Sequence, residues 1–271
     1  MTFVLTRRII RERPNGFCGC VVEGRRGIGK SAYCLKVMKE IYMEIYHCTE
    51  REGYEYALKY TLYDIEDIIS TLKDANESNE TIPVITWDDA GVHGSSLQWF
   101  INMEQVNELK AITDTIRTAV TGFLINCTDR SGLLSHLRKY DDLLVEIVRD
   151  GNGGGNTYIT DSGENHVYKS WGRIARGYNL FKLPSGKRMI YKQFEDHYSC
   201  FLPMNVYDVY MEQRKFYMTQ AIKHMEEMRQ ENISKKKIGK IDLKIKEIEL
   251  EKKREKFLKK GINIEGEENN G

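Results

Sequence analysis

Residues 24–31 have the sequence GRRGIGKS and combine the residue types that hold a chain of phosphates. The spacing Gly-x-x-x-x-Gly-Lys-Ser is the complete Walker A pattern. Its glycines let backbone N–H groups turn inward without a Cβ clash, and a helix N-terminus behind them adds a positive dipole end. Lys30 would then reach the β- and γ-phosphates of ATP, and the Ser31 hydroxyl would bind Mg²⁺. The residues predicted to contact the nucleotide are Gly24, Arg25, Arg26, Gly27, Ile28, Gly29, Lys30, Ser31 and Ala32.

Two adjacent carboxylates, Asp88 and Asp89, follow the apolar run IPVITW at residues 82–87. In ATP hydrolysis a carboxylate at the end of a buried strand holds Mg²⁺ through water, and we assign that role to Asp88. Asp89 would polarise the attacking water and, with Lys30, is predicted to be catalytic. A pair of aspartates can also cap a turn. The Walker A lysine 58 residues upstream (88 − 30) favours the hydrolytic interpretation.

A third apolar run, AVTGFLIN at residues 119–126, leads into polar residues that would face the same phosphates. Asn126 or Thr128 could sense the γ-phosphate, and we favour Asn126 as a third catalytic residue. This signal is weaker than Walker A because any strand must end in polar residues. Further on, Arg130 or Arg138 could act as an arginine finger toward a neighbouring subunit, and a solvated surface arginine is the alternative for each.

The elements that must position these residues alternate between buried strands and helices. Strands are predicted at 17–23, 82–87, 119–126 and 142–148, and helices at 30–46, 103–117 and 131–140. The 131–140 helix would be capped by Ser131, and Asp64 would cap a helix within the helix-prone residues 50–75. This alternation predicts an α/β fold, a P-loop NTPase with a doubly wound, mostly parallel sheet. One strand of the usual set, between the first helix and residue 82, is not evident.

The pattern changes after residue 150, where GNGGGN and SGENH interrupt it. Two strand-like runs around the PSG turn at residues 184–186 predict a β-hairpin, and Pro203 can start a helix over 204–229. Residues 235–260 form a charged helical stretch whose isoleucine seam is too short to prove a coiled coil. We therefore divide the chain into a P-loop ATPase core (1–150), a hairpin-containing extension (151–202), a charged helical extension (203–260) and a disordered tail (261–271).

The overall composition limits the classes of partner. The 271 residues include 41 basic and 40 acidic ones, so any field that attracts nucleic acid must be local. No run reaches the roughly 18 apolar residues that span a bilayer, and the start of the chain lacks the apolar core of a signal peptide. We expect no membrane association and a cytoplasmic location. The six scattered cysteines contain no Cys-x-x-Cys pair and are expected to serve core packing.

The order of these motifs carries a resemblance to a known group of proteins. Walker A, the carboxylate pair, a strand with a polar end and an arginine-bearing helix follow one another as in the ASCE division of P-loop ATPases. GRRGIGKSAYCLKV and TWDDAGVH resemble the DnaA-like or AAA+-like ATPases of archaeal viruses and plasmids, over residues 15–150. The resemblance implies an ATP-driven step on DNA, such as replication initiation, remodelling or genome packaging. A hairpin stands where an AAA+ lid would be, which leaves a RecA-like or FtsK–HerA-like core open.

The predicted hairpin is the main candidate for contact with DNA. Its basic residues are Lys169, Arg173, Arg176, Lys182, Lys187, Arg188 and Lys192, interleaved with Tyr168, Trp171, Tyr178, Phe181 and Tyr191. Basic and aromatic side chains together suit backbone neutralisation and base stacking. An ordinary hairpin with one packed face and one solvated face is the alternative. The helices after residue 203 suggest a homo-oligomer or a protein partner.

Three functions are compatible with the sequence. The first is an oligomeric ATPase with bound ATP and Mg²⁺ that acts on DNA, in the host cytoplasm if the protein is viral. The second is a nucleoside or nucleotide kinase, which also uses Walker A but needs a lid of clustered arginines. The third is an ATP-dependent scaffold with little turnover that recruits a partner through its C-terminal helices.

Overall fold

The computed structural model describes residues 2–90, 107, 110–111, 115–133, 137, 143–150, 157–159, 165–167, 172–182, 188–223 and 226. Several predicted features lie outside these residues. They are most of the 103–117 and 131–140 helices, Arg138, the hairpin residues Tyr168, Lys169, Trp171 and Lys187, the charged helix at 235–260 and the tail at 261–271. The side chains of Phe181, Lys182 and Arg188 also lie outside the description.

The centre of the chain is a seven-stranded sheet with mostly parallel strands, which confirms the predicted α/β fold. Its strands are β1 (Cys18–Glu23), β2 (Thr61–Leu62), β3 (Ile82–Trp87), β4 (Val120–Cys127), β5 (Leu143–Arg149), β8 (Gly172–Lys182) and β9 (Arg188–Ser199). A separate two-stranded sheet pairs β6 (Thr157–Ile159) with β7 (Asn165–Val167). The order across the large sheet is β2-β3-β4-β1-β5-β8-β9. The five strands from β2 to β5 run parallel, and β8 and β9 add to them antiparallel.

Four helices in the first 80 residues accompany this sheet: α1 (Val4–Arg11), α2 (Lys30–Tyr46), α3 (Glu50–Lys59) and α4 (Ile65–Ser78). The predicted 30–46 helix is therefore confirmed as α2. The helix-prone stretch after it is two helices, because Thr49 and Glu52 form a capping box at α3 and Asp64 accepts from the Ile65 N–H at the start of α4. The side chain that caps the turn after β4 is Asp129, which accepts from the N–H of Ser131, so the prediction of Ser131 as the cap is wrong.

The strand that the sequence did not reveal is β2, between α3 and α4. It has only two residues, and it pairs with β3 through Thr61 opposite Thr86 and Leu62 opposite Trp87. Two residues are too few to show an alternating pattern. Its conformation depends on the hydrogen bonds that connect it with β3, where the N–H of Asp88 donates to the carbonyl of Leu62 at 2.8 Å.

The helix α1 was also not predicted, and its first turn is held by a residue far along the chain. The carboxylate of Asp196, on β9, accepts from the N–H of Val4 at 2.9 Å and from the N–H of Leu5 at 3.5 Å. It also accepts from the hydroxyl of Tyr33 on α2 at 2.8 Å. Asp196 is buried, and these donors supply the partners that a buried carboxylate requires.

The predicted hairpin is confirmed as β8 and β9, and it extends the seven-stranded sheet beyond β5. A last helix, α5, covers residues 204–223. Residues Met1–Arg214 form one compact unit and Lys215–Gly271 a second. The division into core, hairpin extension, helical extension and tail stays a prediction. Within the described residues, no helix is long and apolar enough to cross a bilayer.

Candidate functional site

The predicted site residues come from three strands whose ends meet at one edge of the sheet. In the register of the sheet, Val22 on β1 lies opposite Asn126 on β4, and Trp87 on β3 lies opposite Ile125 on β4. These strands are parallel, so the loop after β1, the carboxylates after β3 and the last residues of β4 are neighbours. In open α/β sheets this edge, at the carboxyl ends of the strands, is where ligands bind.

The phosphate-loop candidate, residues 24–31, connects β1 directly with α2. Gly27 and Gly29 have φ values of 71° and 107°, a region that glycine adopts without steric cost. Gly29 is the N-cap residue of α2, which places the positive end of the helix dipole behind the loop. The two arginines inside the loop, Arg25 and Arg26, are exposed to solvent. The loop therefore has the backbone conformation and the helix position that phosphate binding requires.

The Lys30 side chain folds back over this loop. Its ammonium nitrogen donates to the carbonyl oxygen of Gly24 at 3.0 Å and to that of Arg25 at 3.3 Å. Lys30 is buried, and burial lowers its pKa, although Asp89 and Asp88 act in the opposite direction. The hydrogen bonds keep the charge directed into the loop, where a phosphate oxygen would be a stronger acceptor than a carbonyl.

Ser31, Asp88 and Asn126 form one hydrogen-bonded cluster at the edge of the sheet. The Ser31 hydroxyl lies 3.0 and 3.2 Å from the two carboxylate oxygens of Asp88. The Asn126 amide nitrogen donates to Ser31 Oγ at 3.0 Å and to Asp88 Oδ1. Three residues that were chosen separately from the sequence are thus in direct contact. Thr128, the alternative to Asn126, is exposed and does not belong to this cluster.

The electrostatics of this cluster favour a cation. Asp88 is buried, and desolvation, followed by repulsion from Asp89, raises its pKa above the ordinary value of 3.8. Asn126 is also buried, and its Oδ1 has no hydrogen-bond partner among the described residues. A bound cation would stabilise the ionised carboxylate of Asp88, and a water ligand of that cation would donate a hydrogen bond to Asn126 Oδ1. Nowhere in the described part of the chain do three or more His, Cys, Asp or Glu residues gather as a metal-binding group.

Two residues of α5 contact the carboxylate pair, and the sequence did not indicate either of them. The Tyr210 hydroxyl donates to Asp88 Oδ2 at 2.8 Å, and Arg214 Nη2 donates to Asp89 Oδ2 at 2.6 Å. Burial and the Asp88 charge raise the pKa of Tyr210, so the phenol stays protonated and donates. The two residues are four apart, which places them on one face of the helix. That spacing is the only signal in the sequence, and it is common in any helix.

Of the two predicted arginine-finger candidates, Arg130 lies within the described residues and Arg138 does not. The backbone N–H of Arg130 donates to the Glu23 carboxylate at 3.3 Å, so Arg130 lies near the end of β1. Its role toward a neighbouring subunit stays a prediction.

Comparison of the chain with known proteins finds relatives in archaeal viruses. No family model matches the chain. It is 27% identical over 226 residues to the uncharacterized protein B-251 of Sulfolobus spindle-shape virus 1, which covers 82% of this chain and 84% of that protein. It is 28% identical over 130 residues to the uncharacterized protein ORF286 of Acidianus two-tailed virus, covering 46% of this chain and 42% of that protein.

Solved structures with detectable similarity include the following two proteins. One is the genome packaging NTPase B204 from Sulfolobus turreted icosahedral virus 2, at 17% identity and a TM-score of 0.34, covering 66% of this chain and 98% of that chain. The other is the KaiC-like protein PH0186 from Pyrococcus horikoshii, at 12% identity and a TM-score of 0.34, covering 66% and 92%.

The resemblance predicted from the motifs is confirmed. The sequence relatives come from archaeal viruses, and the order of motifs in this chain resembles that of ASCE-type P-loop ATPases. In its sheet β4, with Asn126 at its end, lies between the Walker A strand β1 and the strand β3 that precedes Asp88. That order brings the three site segments together at one edge of the sheet.

Proposed function

We propose that this protein binds ATP with Mg²⁺ at the loop of residues 24–31 and hydrolyses it. The observation that carries the proposal is the contact of Ser31 with Asp88, with Asn126 donating to both. These are the residue types that a magnesium–phosphate site needs, and they meet beside a complete Walker A loop.

The residues present fit a magnesium ion. Mg²⁺ prefers oxygen ligands and keeps several of its waters. Ser31 supplies a hydroxyl and Asp88 a carboxylate, and the buried Oδ1 of Asn126 is placed to accept from a water. Ser31 and Asp88 would hold the ion, which neutralises charge that develops on the phosphates. Lys30 would donate to the β- and γ-phosphates in place of the carbonyls of Gly24 and Arg25.

Asp89 is the residue that we assign to orientation of the attacking water. It is half exposed and follows directly after the metal carboxylate, so a water between it and the γ-phosphate would be accessible from solvent. Its Oδ2 is paired with Arg214, and its Oδ1 would accept the water proton. Asn126, which donates to both Ser31 and Asp88, would keep these two residues in position next to the γ-phosphate.

The work that hydrolysis drives is proposed to be done on DNA, with the protein acting as an oligomer. The support is the exposed surface of the hairpin, where Tyr191 is 62% exposed and the Lys192 side chain is 55% exposed. An exposed aromatic ring can stack on a base, and an exposed ammonium group can contact a phosphate. Packaging, replication initiation and remodelling are the candidate processes, and the host cytoplasm is the proposed location. The C-terminal helices are the candidate surface for other subunits or a protein partner.

The test is ATP turnover by the full chain, measured alone and with double- and single-stranded DNA. Lys30→Ala and Asp89→Asn should each abolish turnover, because the first removes the phosphate ligand and the second removes the acceptor for the water proton. Lys39→Ala is the matched control, since Lys39 lies on the same helix but pairs with Glu50 at 3.1 Å. Turnover that survives Lys30→Ala would refute the proposed site.

The DNA step is tested separately by the salt dependence of binding and by mass measurement in ATP. Lys192→Ala should reduce the slope of log affinity against log salt concentration by about 1, and Tyr191→Ala should weaken single-strand binding by about 1–3 kcal/mol. ATP hydrolysis that no nucleic acid changes, in a chain that binds none, would remove the DNA part and leave the ATPase intact.

A further inference from the structure

The hairpin contacts the phosphate loop from outside, at two consecutive carbonyl groups. Arg173 on β8 donates through Nε to the carbonyl of Ile28 at 2.6 Å. Tyr198 on β9 donates through its hydroxyl to the carbonyl of Gly29 at 3.0 Å. Both donors are buried, and they are backbone partners across the hairpin. One position of the hairpin therefore supplies both contacts.

These two contacts restrict the directions in which two of the loop's N–H groups can point. In a trans peptide unit the C=O and the following N–H lie in one plane and point in opposite directions. The Ile28 carbonyl belongs to the same peptide unit as the Gly29 N–H, and the Gly29 carbonyl to the same unit as the Lys30 N–H. Holding both carbonyls outward turns both N–H groups inward, toward the position where Walker A loops hold phosphates.

The packing around Gly29 supports this contact independently of the hydrogen bonds. A Cβ placed on Gly29 would lie 2.7 Å from the Cβ of Cys200, 3.6 Å from the Tyr198 hydroxyl and 3.7 Å from the Arg173 Cγ. All three neighbours belong to β8, β9 or the residue that follows β9. The loop is therefore in van der Waals contact with the hairpin, and the two segments cannot move independently in this arrangement.

We propose that Arg173, with Tyr198, is a positioning residue for the phosphate loop, specific for the phosphate chain of the nucleotide. It acts through the backbone of Ile28 and Gly29 and does not touch the ligand. The proposal rests on ATP binding at this loop, as proposed above. Arg173 makes the larger contribution, because its donor is charged and the Gly29 carbonyl already accepts from the Tyr33 N–H at 3.1 Å.

The experiment measures binding of magnesium–ATP to the full chain by calorimetry, together with kcat and KM. Arg173→Met should raise the Kd by about 10- to 100-fold, and Tyr198→Phe by about 2- to 10-fold. Most of the effect should fall on KM, because the loop holds the phosphates before and during reaction. Arg173→Lys keeps a charged donor and should recover most of the loss seen in Arg173→Met. Magnesium pyrophosphate, which presents phosphates alone, should lose affinity in parallel with ATP.

The matched control is Arg176→Met, on the same strand. Arg176 pairs with Glu195, its partner across the hairpin, at 3.1 Å and in a partly exposed setting. Its removal should change the Kd by less than about twofold. An equal loss of affinity in Arg176→Met would overturn the proposal, because the effect would then belong to the hairpin in general.

The remaining outcomes separate this proposal from the proposed function. If Lys30→Ala loses ATP while Arg173→Met and Tyr198→Phe bind it as the unaltered chain does, the positioning role is wrong and the site stands. If the unaltered chain itself binds no ATP, the proposed function fails, and this inference fails with it. Should Arg173→Met not fold, Tyr198→Phe decides. It removes one oxygen, and an unchanged Kd at an unchanged Tm would contradict the proposal.

Discussion

Replacement of Gly29 by alanine should destabilise the folded chain by about 2–5 kcal/mol. Gly29 has a φ of 107°, and a side chain in this region costs about 1–2 kcal/mol of backbone strain. The new Cβ would also lie 2.7 Å from the Cβ of Cys200, an overlap of the kind that costs about 1–3 kcal/mol in a packed region. The two contributions arise from different atoms and can be measured separately.

The assay is urea unfolding of the full chain followed by circular dichroism, with Gly27→Ala as the matched control. Gly27 also has a positive φ, 71°, but in the described part of the chain nothing other than its two sequence neighbours lies within 4 Å of its hypothetical Cβ. Only the strain of about 1–2 kcal/mol is therefore expected. In a double-mutant cycle, Cys200→Gly should remove the steric part of the Gly29→Ala effect, giving a coupling of about 1–3 kcal/mol. Equal losses in Gly29→Ala and Gly27→Ala, or a coupling near zero, would refute the close packing of hairpin and loop.

Three further predictions follow from the same structure. The pKa of Asp88 is raised in the folded state, so the folded chain holds the carboxyl proton more tightly than the unfolded chain does. The free energy of unfolding should therefore fall as the pH rises from about 3.8, the ordinary pKa, through the raised pKa. Urea titrations at several pH values should show this fall in the unaltered chain and not in Asp88→Asn. Arg214→Met should release the Asp89 carboxylate and raise basal ATP turnover about 1.4- to fivefold, since the ion pair is partly exposed and contributes about 0.2–1 kcal/mol. A decrease of turnover in a steady-state assay would instead indicate that Arg214 acts on the phosphates. Asp196→Ala should lower the free energy of unfolding by about 1.5–5 kcal/mol. Of this, about 0.5–2 kcal/mol comes from the lost cap of α1 and about 1–3 kcal/mol from the Tyr33 hydroxyl, which would be buried without a partner. A thermal melt indistinguishable from that of the unaltered chain would contradict this cap.

The sequence predicted those parts of the fold whose signals are local. The helix α2 matches its predicted bounds because a long run of helix-forming residues with buried apolar side chains between Ala32 and Tyr42 follows the glycine loop. The strand β3 matches because six buried residues follow one another at Ile82–Trp87. The two-residue strand β2 carries no such pattern, since its stability comes from pairing with β3. The same distinction applies to the helix α1, whose cap is supplied by Asp196 from the far end of the sheet.

The candidate site divides in a similar way. Ser31 could be chosen from the Walker A spacing, and Asp88 and Asn126 because each stands at the end of an apolar run. Parallel strands bring such ends together. Tyr210 and Arg173 could not, because they reach the site across 122 and 145 residues of chain, respectively, from positions with no local motif. Every residue has a backbone carbonyl, so a hydrogen bond to one, such as that of Ile28, does not depend on the type of the accepting residue. The sequence therefore does not show which residue accepts it.

The contact between Asp196 and the start of α1 has a consequence for the order in which the chain can fold during synthesis. The first helix leaves the ribosome long before its partner, because 192 residues separate Val4 from Asp196. At about 5–20 residues per second, the interval is about 10–40 s. Throughout that interval the N–H groups of Val4 and Leu5 and the Tyr33 hydroxyl can be satisfied only by water. The start of the protein is therefore expected to dock last, when β9 completes the edge of the sheet, and a ribosome-bound chain that stops before residue 196 should leave α1 open to protease.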